Sequence, residues 1–430
     1  MQSLYLLSLI ILFLSSSCTQ NHLPTGNVIF IHPDGTGLGH WNAARAYHVG
    51  PDNDLNFDKL SHLAAYRSHQ TDILTTSSHA GATSHAYGIK VKYDSFGMDG
   101  TTPIKSLSNK PYSVMIEAKN AGINIGIINS GHLAEPGTAV FLTTVPDRKL
   151  TDLITEQLVN QNAKVIFGGG EELFLPPFKI GFHKKPGIRS DGKDIIELAI
   201  QLGYKVIYTR DQLLELPPTT AKVLGIFSAQ DSYNDKTEED LKKENLTCYH
   251  PSAPTIAQMT KKALEILSYN HKQFFLVTEE EGTDNFSNKN NASCMLEAMK
   301  RADDTVGVAL NFLKQDPRTL ILLAADSDAG HPTTYASTTL MSKTEPLPAS
   351  TLNGAPLDGV EGTQTLPFLS KPDRFGTTLP FGIAWVSTYD NLGSVISKAH
   401  GFNAKYLPVS IQNTDIFKLI FKTLFGTNLP

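Results

Sequence analysis

GNVIFIHPDGTG, residues 26–37, begins as a short apolar run and ends in an acidic residue and a glycine-rich turn. An apolar run without polar alternation is typical of a buried strand in a parallel sheet. Ligands of open α/β sheets gather beyond the carboxyl ends of such strands, which is where Asp34 falls. A carboxylate at that position predicts a metal ligand. The competing interpretation is an Asp that begins a turn and caps a helix over 40–47.

Further apolar runs predict strands, and the amphipathic segments between them predict helices. The predicted strands are 123–129, 165–167, 223–227, 274–278, 320–324 and 381–386, and the helices include 112–121, 150–161 and 255–269. This alternation predicts an α/β fold, a three-layer α/β/α sandwich around a mostly parallel central sheet, with residues 24–430 as a single domain. Residues 171–192 and 341–378 are rich in Pro, Gly, Ser and Thr, which indicates surface loops or an inserted cap.

The first residues predict export from the cell. The apolar run LYLLSLIILFL, residues 4–14, is too short to span a bilayer and has the length of a signal-peptide core. The small residues before Cys18 resemble a bacterial lipoprotein cleavage site. We therefore expect residues 1–18 to be a signal peptide and Cys18 to be a candidate lipid anchor, which would make the protein periplasmic or a membrane-anchored lipoprotein in a bacterium. The alternative is a buried N-terminal strand.

The composition favours a globular enzyme and argues against nucleic-acid binding. Of the 430 residues 40% are hydrophobic and 18% are charged, and the net charge is only -5. The chain has no basic run that could follow a phosphate backbone. Cys248 and Cys294 fit none of the short-spaced zinc patterns, and both a disulfide and two free thiols remain open for them.

Residues 75–90, TTSSHAGATSHAYGIK, combine hydroxyls and imidazoles with small side chains. Small side chains let the backbone approach a ligand closely. A hydroxyl at the start of a helix lies beside free N–H groups and the positive end of the helix dipole, where anions are stabilised. The stretch therefore predicts a Ser nucleophile that attacks a phosphoryl group. The alternative is an ordinary capped helix with an Ala-rich packing face.

Two more apolar strands end in acidic residues. FFLVTEEEGTDNFSN, residues 274–288, contains Asp284, and LILLAADSDAGH, residues 320–331, contains Asp326 and Asp328. Such dense negative charge requires solvent or cations, and oxygen ligands suit Mg²⁺ or Ca²⁺, or Zn²⁺ where imidazoles join them. A solvated acidic loop is the alternative, and it explains Glu280 and Glu281 better than Asp284. Three strands that each deliver an Asp, together with a Ser-rich helix start, favour a metal-assisted hydrolase.

Taken in order, these motifs resemble those of the alkaline phosphatase family over most of the chain. Asp34 corresponds to the family's first metal-bridging Asp, and Ser78 falls on its nucleophilic Ser. Glu135 and Arg148 fall on the segment that supplies magnesium-site groups and the phosphate-binding Arg. The segments 165–170, 251–267 and 413–417 resemble the family's strand with a glycine triplet, a later helix and the closing helix. The resemblance implies the family's fold with loop or cap insertions.

The resemblance also implies residue roles. It implies catalysis by Ser78 and Arg148, and substrate binding by Arg148, Ser77 and His79. The implied metal ligands are Asp34, Ser78, Glu135, Glu279, Asp284, Asn288 and Asp326, with Asp328 as a candidate replacement. The cofactors would be divalent metals, Zn²⁺ and/or Mg²⁺.

The sequence departs from the family where zinc-binding imidazoles are expected. Asn288 and Ser327 stand at two of the histidine positions, and no His lies near 374–376, where the third is expected. Gly137 replaces a magnesium-site Thr, and Ser77 replaces the Asp before the nucleophile. These departures imply a remodelled metal site, in which oxygen ligands shift the preference toward Mg²⁺, Ca²⁺ or Mn²⁺. Candidate replacement ligands besides Asp328 are His331, His79, His85 and His400.

The function implied by the resemblance is metal-dependent hydrolysis of a small phosphate monoester through a phosphoserine intermediate. A homodimer is implied by analogy alone. Two alternatives remain open. One is a phosphodiesterase on the same scaffold, with a pocket widened by residues 341–378. The other is a non-catalytic relative that binds phosphate or another ligand and has lost metal binding together with its imidazoles.

Overall fold

The computed structural model describes residues 23–336 and 342–429, so the predicted signal peptide and Cys18 lie outside the described residues. Strands β1 to β19 are Asn27–Pro33, His62–Arg67, Met98–Asp99, Thr102–Pro103, Asn124–His132, Val165–Gly169, Lys205–Ile207, Val223–Ile226, Phe274–Glu280, Thr319–Ala324, Asp328–Ala329, Thr333–Tyr335, Leu357–Gly359, Gly362–Thr363, Phe368–Leu369, Pro380–Ala384, Asp390–Asn391, Ile396–Gly401 and Ser410–Gln412. Helices α1 to α12 are Leu38–His48, Ser78–Tyr87, Val114–Asn120, Pro136–Ala139, Thr151–Asn160, Ile195–Gln201, Arg210–Leu214, Glu238–Glu244, Ile256–Leu267, Gly282–Asn288, Ala292–Leu313 and Asp415–Phe425.

Ten strands form the central sheet, in the order β19-β2-β18-β10-β1-β9-β5-β6-β8-β7. The run from β10 to β7 is parallel throughout, and β18 is antiparallel to both of its neighbours. The mostly parallel sheet predicted from the sequence is therefore confirmed. The strand predicted at the start of 26–37 lies in it as β1, and so do five of the six further predicted strands. The sixth, 381–386, corresponds to β16, which instead belongs to a smaller antiparallel sheet with β12 and β13.

Helices cover both faces of the sheet because side chains alternate along each strand. On β1, Val28 and Phe30 join the hydrophobic cluster that includes α2, α3, α5 and α12. Ile29 and Ile31 join the opposite cluster, which includes α1, α9 and α11. Both faces of the strand are fully buried, which explains why its apolar run shows no alternation. The predicted three-layer arrangement is confirmed.

The two segments predicted as loops or cap contain little regular structure. Residues 171–192 hold a single 3₁₀ turn, Glu171–Phe174, and residues 342–378 contribute the short strands β13 to β15. Cys248 and Cys294 form a disulfide, with their Cα atoms 5.3 Å apart, so the question left open by the sequence is answered. No helix in 23–336 or 342–429 is both long enough and apolar enough to cross a bilayer.

Candidate active site

Three adjacent parallel strands bring their acidic ends together. In the order β10-β1-β9, Ile31 pairs with Leu323 and Pro33 pairs with Glu280, so all three strands end at one edge of the sheet. Asp34, Glu279 and Asp326 are completely buried there. Asp34 and Asp326 lie close enough for the charge of Asp34 to act on Asp326. Burial, together with the negative charge of Asp34, raises the pKa of Asp326 well above its ordinary value.

Helix α2 begins at this cluster. Ser77 caps the helix by accepting a hydrogen bond from the Ala80 N–H at 3.3 Å, and Ser78 is the first helical residue. A Cβ added at Gly81 would lie 2.4 Å from the Cβ of Asp326, so this turn of the helix packs directly on the acidic strand end. Residues three apart share a helix face, so Ser78 lies on the face that carries Gly81. The predicted nucleophile therefore lies on the helix face that packs against Asp326.

A second group of polar side chains lies at helix α10, which follows β9, and includes Asp390 from β17. Asn288 donates to Asp284 Oδ2 at 3.0 Å and to Asp390 Oδ1 at 3.3 Å. A Cβ at Gly35 would lie 2.4 Å from Asp284 Oδ1, so this group adjoins the turn that carries Asp34. Burial and the neighbouring Asp390 raise the pKa of Asp284 well above its ordinary value. The structure thus brings the predicted ligands Asp284 and Asn288 together.

The sequence prediction missed Asp390, which comes from β17, more than a hundred residues after Asp284. The segment 374–376, where a third ligand was expected, lies at the surface, and Arg374 forms an ion pair with Asp52 there. Its exposed position excludes it from the acidic cluster. No local pattern distinguishes Asp390 from an ordinary loop Asp, because β17 is only two residues long.

His32 is a second site residue that the prediction missed. Its Nε2 lies 3.4 Å from Asp34 Oδ1 and 3.7 Å from Glu279 Oε1, and its Nδ1 is 2.8 Å from the carbonyl oxygen of Ala324. Burial disfavours the charged ring, but the carboxylates of Asp34 and Glu279 outweigh it and raise the pKa of His32 to about 10. The signal was present in the sequence, since alternation along β1 puts His32 and Asp34 on the same side.

The third group contains Glu135, Arg148 and Glu279. Glu135 Oε2 accepts a hydrogen bond from Arg148 Nη2 at 2.9 Å, and its Oε1 lies 2.9 Å from His132 Nε2. Burial alone would raise the pKa of Glu135, but these two cations outweigh it and lower the value to about 2. A Cβ added at Gly137 would lie 1.7 Å from Glu279 Oε1. Any larger residue at position 137 would therefore require the Glu279 carboxyl group to move.

Several buried polar atoms of these groups have no hydrogen-bond partner among the described residues. They are Asp34 Oδ2, Glu279 Oε1, Glu281 Oε2, Asp284 Oδ1, Asn288 Oδ1, Asp326 Oδ2 and His32 Nε2. Buried polar atoms are almost always paired, so this convergence requires an explanation. The six oxygens suit hard divalent cations, and the His32 nitrogen could join them only once a bound cation displaces its proton. The side chains present therefore fit the metals expected from the sequence.

The interpretation of Glu280 and Glu281 as part of a solvated loop is wrong. Glu280 is fully buried and binds the Arg301 guanidinium at 3.0 and 3.1 Å, on the side of the sheet away from Glu279. Glu281 is 3% exposed, and burial together with the negative charge of Glu135 raises its pKa well above the ordinary value. Alternation along β9 separates Glu280 from Glu279, and Glu281 begins the turn into α10.

Several predicted replacement ligands have other partners. Asp328 accepts hydrogen bonds from the Ser394 N–H at 2.7 Å and contacts His331 Nδ1 at 2.8 Å. His400 pairs with Ile321 near the start of β10, at the opposite end of the strand from Asp326. His85 lies behind the site, with its Nε2 2.6 Å from the Tyr66 hydroxyl. The structure therefore does not bring Asp328, His331 or His400 into the group around Asp34.

Ser77 and His79, the two neighbours of Ser78 predicted to bind substrate, differ in the contacts that their polar atoms make within the fold. The Ser77 hydroxyl caps α2 and also donates to the carbonyl oxygen of Tyr93 at 2.5 Å, so its hydrogen-bonding capacity is used within the fold. His79 Nε2 is 3.6 Å from Asp94 Oδ1. Burial and the positive charge of Arg148 lower the pKa of His79 to about 4. His79 is therefore a neutral ring near Arg148.

The fold is an α/β sandwich, and a serine stands at a helix start above a buried carboxylate cluster. This combination indicates a hydrolytic enzyme. The family model described as alkaline phosphatase matches residues 25–391. The chain belongs to the alkaline phosphatase family, as its motifs predicted. It is accordingly an enzyme of the phosphoric monoester hydrolase class.

Individual relatives agree with this assignment. An alkaline phosphatase of Escherichia fergusonii is 27% identical over 350 residues, which cover 71% of this chain and 70% of the relative. A membrane-bound alkaline phosphatase of Bombyx mori is 25% identical and covers 70% of this chain, with 60% of its own length matched.

Solved structures show the same fold. The alkaline phosphatase of Thermus thermophilus superposes with a TM-score of 0.73 at 19% identity, covering 98% of this chain and 97% of that one. The enzyme from the Antarctic bacterium TAB5 superposes with a TM-score of 0.70 at 19% identity, covering 94% of this chain and 100% of that one.

Proposed function

We propose that the protein hydrolyses phosphate monoesters through a phosphoserine on Ser78, with divalent cations held by the surrounding carboxylates. The observation that carries the proposal is the group of unpartnered buried oxygens beneath the start of α2. A cluster of this charge is costly unless cations neutralise it. Its position beside a helix N-terminus suits a transferred phosphoryl group, which is anionic.

Three sets of side chains could hold the cations. Asp34 and Asp326 form the first set, at the strand ends against which α2 packs, whereas Asp284, Asn288 and Asp390 form the second set. Glu135 and Glu279 form the third set together with Asp34. Bound divalent cations would favour the ionised form of the Ser78 hydroxyl and neutralise the phosphoryl oxygens. Because His32 is the sole imidazole of the Asp34 group, we propose Mg²⁺ or Mn²⁺ ahead of Zn²⁺, with Ca²⁺ as a further candidate.

The chain's own residues would carry the reaction in two displacements. The Ser78 oxygen attacks phosphorus in line with the ester oxygen, so a serine–phosphorus bond forms while the alcohol departs. A water beside Asp284 and Asn288 then attacks the phosphoserine and releases phosphate. Arg148 is held by Glu135, and its charge favours a fork of hydrogen bonds to two non-bridging oxygens.

The test is p-nitrophenyl phosphate hydrolysis after chelation and re-addition of Mg²⁺, Mn²⁺, Ca²⁺ or Zn²⁺. We expect at least one metal to restore activity and Ser78→Ala to lower kcat by about 10³-fold or more. Ser84→Ala is the matched control, because Ser84 lies on the same helix and donates to the Ala80 carbonyl oxygen within the fold. An inactive wild type with every metal, or a fully active Ser78→Ala, would contradict the proposal.

The same assay separates the two alternatives. Turnover of bis-p-nitrophenyl phosphate in preference to the monoester would favour the phosphodiesterase. Phosphate binding without turnover of either substrate would favour the non-catalytic relative. Export, lipid attachment through Cys18 and a homodimer are also proposed. Cell fractionation, labelling with a radioactive fatty acid and sedimentation analysis test them in turn.

A further inference from the structure

A row of cationic side chains lies at the edge of the central sheet opposite to the candidate active site. The strands from β10 to β7 are parallel, so their amino ends all meet at this edge. The N–H of Lys205 donates to the carbonyl oxygen of Lys222 at 3.0 Å, so adjacent members of the row lie side by side. Neighbouring strands are about 4.8 Å apart, so across seven strands the row follows the edge for about 29 Å. Six residues at or shortly before the starts of these strands define the amino-edge face: Lys164, Lys205, Lys222, Lys272, Lys314 and Arg318.

Most charges of the amino-edge face are not neutralised within the protein. Arg318 pairs with Asp316 at 3.5 Å, but none of the five lysines has a carboxylate within ion-pair distance among residues 23–336 and 342–429. Lys205, Lys272 and Lys314 are exposed to solvent. The whole chain has a net charge of -5, and its buried carboxylates cluster at the opposite edge of the sheet. The positive charge is therefore a local property of this face.

The polypeptide enters the fold at this same edge. The Leu23 N–H donates to the Gly426 carbonyl oxygen at 3.0 Å, and the Asn27 N–H donates to the Arg318 carbonyl oxygen at 2.8 Å. Cys18, the candidate lipid anchor, lies five residues before Leu23. Five residues of extended chain reach at most about 18 Å. A lipid on Cys18 would therefore hold the amino-edge face close to a membrane.

We propose that the amino-edge face docks on the surface of a lipid bilayer that carries anionic headgroups. Lysines within a Debye length of such a surface, about 8 Å at physiological ionic strength, are attracted to it. A long row of flexible lysines suits a flat surface of laterally mobile headgroups. Nucleic acid offers similar phosphate charges, but the signal peptide predicted over residues 1–18 directs the chain to a membrane, and the chain enters the fold at this face. Lipid is therefore the source of anionic groups that we assign.

Docking through this face turns the candidate active site away from the bilayer. Strand β1 runs from the amino edge to Asp34, and its seven residues, Asn27–Pro33, span about 20 Å. Phosphate esters dissolved in water therefore reach the site, whereas headgroups of the same bilayer do not. This restriction to soluble esters rests on the proposed function, but the docking itself does not.

Sedimentation with lipid vesicles tests the docking. The vesicles contain phosphatidylcholine and an equal part of phosphatidylglycerol, and the protein is the chain from residue 19, which keeps every residue that the structure describes. We expect binding to these vesicles, loss of binding at high salt, and no binding to phosphatidylcholine alone. Combining Lys205→Gln, Lys272→Gln and Lys314→Gln should weaken binding about 100-fold, since each lysine near an anionic surface contributes about fivefold.

The matched control removes the same charge elsewhere, by Lys184→Gln, Lys242→Gln and Lys343→Gln. All three lysines are exposed. Lys184 and Lys242 follow the carboxyl ends of β6 and β8, and Lys343 lies between β12 and β13. The proposal is overturned if the wild type does not bind, if it binds phosphatidylcholine equally well, or if the edge variant binds no more weakly than this control. Tighter binding to duplex DNA than to the mixed vesicles overturns the assignment to lipid.

A second measurement determines the orientation of the bound protein. Cys248 and Cys294 are joined to each other, so a single introduced cysteine can be labelled with a fluorophore. Energy transfer to an acceptor lipid should be stronger from Gln315→Cys, exposed at the amino edge, than from Asp94→Cys, exposed near His79 at the opposite edge. Equal or reversed transfer overturns the docking. Neither measurement uses hydrolysis, so an inactive protein that binds vesicles as expected would contradict the proposed function alone.

Discussion

At the scale of single residues, neighbouring side chains of one type have different roles. Glu279, Glu280 and Glu281 are consecutive and buried, yet Glu280 binds Arg301 across the sheet while Glu279 and Glu281 face the candidate site. The side-chain period of β9 explains the opposite directions of Glu279 and Glu280, whereas Glu281 already has helical backbone angles at the start of α10. Residue type therefore identified an acidic segment, but only the strand geometry determined which carboxylates could bind a cation.

Asn288→His is predicted to shift the metal preference toward Zn²⁺. The amide contacts Asp284 and Asp390, so an imidazole there would add a nitrogen ligand to an oxygen-rich group. We expect the concentration of Zn²⁺ that restores half-maximal activity to fall about tenfold relative to that of Mg²⁺. Titration of the chelated enzyme with each metal measures this ratio.

Asn285→His serves as the control, because Asn285 lies on the same helix but donates to the Tyr233 hydroxyl. An unchanged ratio in Asn288→His, or the same change in Asn285→His, would show that position 288 does not bind the metal.

At the scale of elements, helix α2 is distinguished by how closely it packs rather than by apolar side chains. All ten of its residues are buried, and its small side chains let it approach the end of β10. The opposite end of α2 packs against Phe417 of α12, since a Cβ at Gly88 would lie 2.7 Å from that ring. The helix is therefore fixed at both ends, which positions Ser78 on a rigid element.

Gly81→Ala is predicted to impair activity more than stability. The added Cβ would lie 2.4 Å from the Cβ of Asp326, so either the helix or Asp326 must move by about 1 Å to restore ordinary carbon–carbon contact. Because Ala is the better helix former, part of the strain is offset. We expect kcat/KM to fall about 10²-fold or more, with a change in unfolding free energy below about 2 kcal/mol.

Steady-state kinetics and thermal unfolding measure the two effects. Gly307→Ala, in α11, is the control, because its Cβ would meet the side chain of Asn56, away from the site. Full activity in Gly81→Ala would mean that the contact between α2 and Asp326 does not control the site.

At the scale of the whole molecule, buried carboxylates outside the site link the layers. Glu238, at the start of α8, accepts from the Ser293 N–H at 3.2 Å at the start of α11. Burial, assisted by the negative charge of Asp358 from the smaller sheet, raises the pKa of Glu238 from 4.5 to about 8. The neutral acid is thus favoured where α8, α11 and this sheet meet.

This raised pKa predicts how stability depends on pH. Between pH about 4.5 and 8 the folded protein retains a proton that the unfolded chain has released, so the stability contribution is full below 4.5 and is lost as pH rises through 8. Glu238→Gln removes this loss. We expect the variant to exceed the wild type by on the order of 2 kcal/mol at pH 9 and to match it near pH 4.5.

Denaturant unfolding at several pH values measures the difference. Glu239→Gln is the control, because Glu239 is the next residue in sequence and its side chain is exposed. A Glu238→Gln curve parallel to that of the wild type across this range would mean that Glu238 does not titrate as described.

The sequence by itself determined the α/β class and most strands of the sheet, and it predicted Asp34, Ser78, Asp284 and Asp326 as site residues. These follow from local rules, because apolar runs form buried strands and ligands lie beyond their carboxyl ends. Tertiary structure alone decided that Asp390 joins Asn288, that Asp328 binds His331 instead, and that β16 leaves the main sheet. Such pairings join segments distant in sequence, and their free energy depends on packing and burial that no local pattern contains.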